Sequence, residues 1–226
     1  MNLDLRHKEY LRLMGIDVWL SKDSDSPVSP HIEDVSHAGQ TGSLDELRKK
    51  VSVCANCRLH AGRTQTVFGT GSYDADWMLI GEAPGTEEDK QGKPFVGRAG
   101  KLLTAMLSSI ELKREEVFIA NILKCRPPNN RDPSADEVAA CEEYLNTQIR
   151  LIKPKLIIAL GRIAAQNLLK SEVPIGKMRG KLYHYGEEDI PVVVTYHPAY
   201  LLRSPKEKRK SWQDLQLAVS EFKKNI

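Results

Sequence analysis

Four short apolar runs, Trp77–Ile80, Val117–Ala120, Leu156–Leu160 and Val192–Thr195, recur along the chain with turn residues at their ends. Three of them are rich in Leu or β-branched residues and show no apolar–polar alternation, the pattern of strands covered on both faces. Between the runs the apolar positions change to helical spacing. Leu102, Leu103, Met106, Leu107 and Ile110 mark a helix over 99–110, and similar patterns predict helices over 135–152, 163–169 and 212–222. Strand followed by helix, four times over, predicts a parallel, doubly wound α/β sandwich. Two capping boxes, Ser43–Glu46 and Ser134–Glu137, predict where helices open. In the second of these helices Val138, Cys141, Leu145 and Ile149 share one face, so the thiol points inward.

The polar stretches divide the chain. Residues 21–43 are rich in Ser, Asp, Gly, Pro and His and lack apolar periodicity, which reads as a flexible linker with His31 and His37 in solvent. The compact domain is expected over 44–226. Residues 1–20 differ from the linker: Tyr10, Leu11, Leu13, Met14, Ile16, Val18 and Trp19 are too many apolar groups for a disordered tail. Gly15 would end a short amphipathic helix there. Two readings stay open, packing on the chain's own domain or docking on a partner from the end of a linker.

Composition narrows the class. The chain has 226 residues, 41% hydrophobic and 28% charged, as an ordinary globular protein does. No apolar run approaches the roughly 18 residues of a membrane-spanning helix. The charged amino terminus has no signal-peptide core, so a cytoplasmic protein without a membrane partner is expected. The net charge of +3 is too small to indicate nucleic-acid binding, so any such affinity must lie in how the charges are distributed.

The segment 81–97, Gly-Glu-Ala-Pro-Gly-Thr-Glu-Glu-Asp-Lys-Gln-Gly-Lys-Pro-Phe-Val-Gly, follows the first strand and leads into the first long helix of the sheet. That order places it at the carboxyl edge of a parallel sheet, where open α/β folds bind ligands. It matches neither phosphate-binding glycine pattern. Glu82, Glu87, Glu88 and Asp89 would repel phosphate, and they suit a site that stabilises positive charge or prepares a water. The plainer alternative is a solvated acidic turn. The last strand runs into Tyr196-His197-Pro198-Ala199-Tyr200-Leu201-Leu202-Arg203, which brings His197 to the same edge. Leu201 and Leu202 there are either core residues or a wedge for a base stack. Arg203, Lys206, Lys208, Arg209 and Lys210 stand against a single acid, Glu207, and could grip phosphates.

The four cysteines are Cys54, Cys57, Cys125 and Cys141. A C-x-x-C pair in a cytoplasmic protein points to metal or redox chemistry rather than disulfides. Structural zinc uses two closely spaced pairs, whereas 15 residues separate Cys125 from Cys141. The spacing favours a [4Fe–4S] cluster while leaving zinc open. A cluster would tie the amino-terminal helix and the 126–131 loop to the sheet, a structural role before a redox one.

Taken together, the 81–97 loop, the segment Asn121-Ile122-Leu123-Lys124-Cys125-Arg126-Pro127-Pro128-Asn129-Asn130-Arg131, the cysteines and the His197 loop resemble a family 4 uracil-DNA glycosylase. The match runs from about Leu44 to the end with every motif in order. The resemblance implies a three-layer α/β sandwich around a four-stranded parallel sheet, and a [4Fe–4S] cluster on the four cysteines. It implies a monofunctional enzyme, acting as a monomer, that hydrolyses the N-glycosidic bond of uracil in single- and double-stranded DNA. Phe95 would stack on the base, Asn121 would read its polar edge, and Ala83, Pro84 and Gly85 would shape the pocket. Glu82 would stabilise the sugar cation or position water, with Glu88 in support, and His197 would stabilise the departing base. Leu201, Leu202 and Arg203 would engage DNA. The chain departs from the pattern at Ala199, often Ser in relatives, and at Ala83, which matches a water-activating Asp elsewhere in the superfamily. The catalytic duty therefore falls on Glu82. The segment from Glu9 to Lys22 resembles the amino-terminal peptide of the clamp-loader psi subunit, which implies the chi subunit as a partner for the docking peptide over 1–20. Two rival readings remain: a relative acting on other deaminated bases such as hypoxanthine, and a non-catalytic replisome adaptor.

Overall fold

The structure, a computed structural model, describes residues 41–224. The docking peptide predicted over 1–20 and almost all of the linker predicted over 21–43 lie outside the described residues. Helix α1 (Thr41–Ser52) already includes Ser43 in its first turn, so Ser43 does not cap it. Leu44, Leu47 and Val51 are buried at the i, i+3, i+7 positions of that helix.

One sheet carries six strands, β1 (Thr70–Gly71), β2 (Trp77–Gly81), β3 (Phe118–Asn121), β4 (Leu156–Leu160), β5 (Leu182–Tyr185) and β6 (Ile190–Thr195), in the order β1-β3-β2-β4-β6-β5. The four predicted strands are β2, β3, β4 and β6, and they pair in parallel. Two antiparallel edge strands enlarge the four-stranded sheet that was expected. Only two residues form β1, so no apolar run announces it. A Cβ on its Gly71, at φ +123°, would stand 1.7 Å from the Val117 carbonyl oxygen; the bare backbone lets β1 press against β3. Strand β5 is only half-buried and so lacks the continuous apolar signature of the central strands.

Successive side chains leave each central strand on opposite faces. Met78, Ile80, Phe118, Ala120, Ile157 and Val192 enter one core, while Trp77, Leu79, Ile119, Ile158 and Val193 enter the other. The helices beyond α1 are α2 (Thr86–Gln91), α3 (Arg98–Ser108), α4 (Ala135–Ile152), α5 (Arg162–Leu168), α6 (Ile175–Met178), α7 (Pro198–Arg203) and α8 (Lys208–Lys224). Residues of α1, α4 and α5 fill the first core, and residues of α3, α7 and α8 fill the second. The result is a three-layer α/β/α sandwich. Helix α4 has the predicted bounds, α3 stops short of Ile110, and α8 begins earlier than predicted because the good helix formers Lys208, Arg209 and Lys210 join it.

Glu137 fixes the loop between β3 and α4. The predicted capping box is present, with the Ser134 N–H donating to the Glu137 carboxylate at 3.0 Å. That carboxylate is 1% exposed and also accepts from Arg131 at 2.6 and 2.8 Å and from Arg58 at 3.1 Å. The Arg131 hydrogen bond, outweighing burial, brings its pKa down to about 2 from the usual 4.5. Because the folded value lies below the unfolded one, this contribution to stability is complete above the unfolded value and disappears as pH falls through the folded one. Glu137→Ala should lower stability by about 3 kcal/mol in urea unfolding at neutral pH. The difference from the wild type should vanish towards pH 2, and exposed Asp136→Ala should change little.

Candidate active site

Strand β2 lies between β3 and β4, and the chain leaves β2 for β3 on one side before crossing to β4 on the other. In open α/β sheets this reversal creates a crevice at the carboxyl ends of the strands. A cavity of about 440 Å³ opens there. Its walls come from three loops: Glu82–Gly85 and Phe95 after β2, Asn121 and Pro127–Asp132 after β3, and His197–Arg203 after β6.

Phe95 and Asn121 meet over the last residue of β2. A Cβ on Gly81 would lie 2.5 Å from Asn121 Oδ1 and 2.7 Å from Phe95 Cζ, so only glycine permits both side chains to approach. Asn121 is 2% exposed, and its Oδ1 has no hydrogen-bond partner among the described residues. An unpaired buried acceptor costs about 1–3 kcal/mol. Phe95 has φ 52°, a left-handed conformation costing an aromatic residue about 1–3 kcal/mol. Its flanks are tied: Glu88 Oε1 accepts the N–H groups of Val96 at 2.9 Å and Gly97 at 3.1 Å, and Arg114 donates to the Pro94 carbonyl at 3.0 Å. Such charge-assisted bonds contribute about 1.5–3 kcal/mol each, enough together to offset the strain.

Burial shifts Glu82 and His197, both in the pocket lining, in opposite directions. Glu82 is pushed up to about 7 by burial, then by the Asp132 carboxylate, against an opposing pull from Arg162. Asp132 itself accepts from Arg162 at 2.6 Å. His197 is pushed down to about 4 by burial and by Arg203. Its Nδ1 accepts the Ala199 N–H at 3.1 Å, so the neutral ring carries its proton on Nε2. The imidazole also faces the Phe95 ring, 5.5 Å between centroids. Gly161 leaves room for His197, since a Cβ there would stand 2.9 Å from His197 Cβ.

The structure therefore brings Glu82, Ala83, Pro84, Gly85, Glu88, Phe95, Asn121, His197 and Arg203 to one cavity. It also sorts the acids of the loop. Glu88 lines the cavity and also staples the Phe95 turn through the Val96 and Gly97 N–H groups. Asp89 is buried and accepts the Thr64 N–H, and Glu87 pairs with Lys90 at the surface. Leu201 needs a larger correction. It is 1% exposed in the second core and cannot serve as a wedge while α7 keeps its place, whereas Leu202 is 37% exposed. Sequence reasoning missed Asp132 and Tyr200, both of which border the cavity. Each immediately follows or lies within a segment singled out at the sheet edge, and that proximity was the available signal.

The four cysteines border one recess between α1, the loop after β3, and α4. Backbone or guanidinium N–H groups reach three of the sulfurs: Asn56 to Cys54 at 3.5 Å, Arg63 to Cys125 at 3.2 Å and Lys124 to Cys141 at 3.3 Å. Among the described residues no three His, Cys, Asp or Glu side chains are grouped to hold a single metal ion. A cuboidal cluster asks for something else, four thiolates spaced around a cage with N–H donors to the sulfurs, and these residues fit that requirement.

Residues 68–216 match the family model of the uracil DNA glycosylase superfamily. The chain is 45% identical to the type-4 uracil-DNA glycosylase of Archaeoglobus fulgidus over 181 residues, covering 77% of this chain and 90% of that protein. It is 46% identical to the type-4 enzyme of Sulfurisphaera tokodaii, over 77% of this chain and 82% of that one. The corresponding protein of Thermotoga maritima is 44% identical, over 80% and 95%. The chain belongs to the uracil-DNA glycosylase superfamily and, within it, to the type-4 uracil-DNA glycosylases.

Proposed function

We propose that the chain is a monofunctional uracil-DNA glycosylase of base excision repair, hydrolysing the N-glycosidic bond of uracil in single- and double-stranded DNA to leave an abasic site. The observation that carries this reading is the unpaired Asn121 Oδ1 beside the Phe95 ring. Uracil is flat and presents an N3–H donor next to a carbonyl acceptor. A carboxamide answers both at once, accepting the proton and donating to the oxygen, while cytosine has the opposite pattern at this edge.

An extruded nucleotide would enter the cavity with its base on Phe95. As the bond from N1 to the sugar lengthens, positive charge develops on the sugar and negative charge on the base. Ionised Glu82 stabilises the sugar and orients the water whose oxygen bonds to C1′ as the bond to N1 breaks, and the carboxylate takes up the proton that the water sheds. Neutral His197 donates a hydrogen bond from Nε2 to the leaving uracil, and needs no proton transfer to do so. Tyr200, which lines the cavity, and the exposed Leu202 close to it in α7 would fill or brace the vacated stack, and Arg203 would hold a phosphate. A repair enzyme works in the compartment holding the DNA, in keeping with the cytoplasmic location expected of the chain.

The cofactor of this reading is a [4Fe–4S] cluster on Cys54, Cys57, Cys125 and Cys141. When bound, it would supply a cross-link between α1, the 121–131 loop and α4. The convergence of all four thiols on one recess supports it.

Two experiments test these assignments. Excision of uracil from a single-U oligonucleotide should have an acid limb near pH 7, since activity requires Glu82 ionised and is lost as pH falls below its pKa. Glu82→Gln should slow single-turnover excision by about a hundredfold or more and remove that limb, with binding to uracil DNA retained; an unchanged rate would reassign the role. Cys57→Ser, purified without air, should lack the brown chromophore of an iron–sulfur protein and unfold at lower temperature. An intact chromophore would remove Cys57 from the ligand set.

A further inference from the structure

Lys124 is an unusual residue to find in a core. It is 1% exposed, and its Nζ donates to the main-chain carbonyl of Asn121 at 2.8 Å and to Gln148 Oε1 at 2.6 Å. Both acceptors are uncharged. Gln148 is itself fully buried and donates from Nε2 to the Phe68 carbonyl at 2.9 Å. Taking an ammonium group out of water is costly, and an apolar side chain of similar volume would pack the same space at less expense. Stability alone therefore does not account for this lysine. What the group touches is informative: Asn121 lines the cavity and its side chain carries the buried, unpaired Oδ1. There the main chain leaves the sheet, with the Ile122 and Leu123 N–H groups still bonded to the Gly81 and Glu82 carbonyls at 2.9 and 3.0 Å. The Asn121 carbonyl is fixed instead by Lys124, from the face opposite the pocket.

We propose that Lys124, braced by Gln148, is a positioning residue that sets the base-reading amide of Asn121 for uracil. The inference rests on the uracil-excising reading of the site and adds to it the element that orients its specificity group. The Lys124 side chain never touches the base. It acts by holding the peptide group from which the Asn121 side chain projects, so that the amide meets the N3 edge without reorganising. Since a misplacement of about 1 Å near a reacting centre can cost two orders of magnitude in rate, a bond of this kind has a visible kinetic effect.

The test is a double-mutant cycle on the full chain, using single-turnover release of uracil from a single-U oligonucleotide. Affinity for the same DNA carrying an abasic site is measured alongside. Lys124→Met should slow uracil release by roughly tenfold or more. Affinity for abasic DNA, which offers no base to Asn121, should stay within about twofold, and in an Asn121→Ala background Lys124→Met should cost no more than about twofold further. An unchanged rate in folded Lys124→Met, an equal loss in both backgrounds, or a parallel loss of abasic-DNA affinity would each overturn the proposal. If Lys124→Met does not fold, Gln148→Leu removes one of the two acceptors and is judged by the same measurements. A wild type that releases no uracil would instead overturn the reading on which the inference rests.

Discussion

The end of β2 has to be bare. Gly81 leaves the sheet at the point where Asn121 from the next strand and Phe95 from the following loop converge, and a single methyl group would collide with both. Much of the active region follows from that contact. The Phe95 turn adopts a left-handed backbone so that the ring reaches the space above Gly81, and Glu88 and Arg114 are committed to holding it there. Gly100 makes the same allowance from the other side, because a Cβ on it would overlap the Phe95 carbonyl oxygen at 1.8 Å. Sterics and charged hydrogen bonds together hold a pocket wall that the local backbone would not adopt unaided.

Around this contact the charges fall into two groups. Glu137 and Lys124 are buried and hydrogen-bonded, one orienting the 127–132 loop and the other the end of β3. Glu82 and His197 are only half-buried, and the same low-polarity surroundings push one up and the other down. Burial thus creates a carboxylate that changes charge near neutral pH beside an imidazole that remains uncharged. That pairing suits a reaction in which the sugar becomes positive and the base becomes negative. The cysteine recess lies behind the same segment: Lys124 N–H bonds to Cys141 Sγ while the Lys124 side chain supports Asn121.

Much of this was legible in the sequence because it depends on pattern. The four central strands are covered on both faces and so appear as unbroken apolar runs; the order of strand and loop placed residues 81–97 and 197 at one edge, and the family resemblance added Asn121. The rest depends on contacts that no one-dimensional pattern encodes. Glu82, Glu87, Glu88 and Asp89 look alike in sequence, and only the fold puts Glu82 and Glu88 at the pocket, makes Glu88 and Asp89 backbone staples and leaves Glu87 in a surface pair. Leu201 and Leu202 are neighbours of identical chemistry, and the rotation of α7 decides which is core. Strand β1 needs a bare glycine against a neighbouring carbonyl rather than any side-chain signal. Asp132 influences Glu82 from fifty positions away in the chain.

The central claim is that the Asn121 carboxamide, whose Oδ1 is unpaired among the described residues, reads the N3–H edge of uracil. The measurement that tests it most directly compares single-turnover excision from matched oligonucleotides carrying one uracil, one N3-methyluracil or one cytosine. Excision at uracil, with a fall of about a hundredfold or more for the methylated base and none at cytosine, is the result the account predicts. Equal rates for uracil and N3-methyluracil would contradict it.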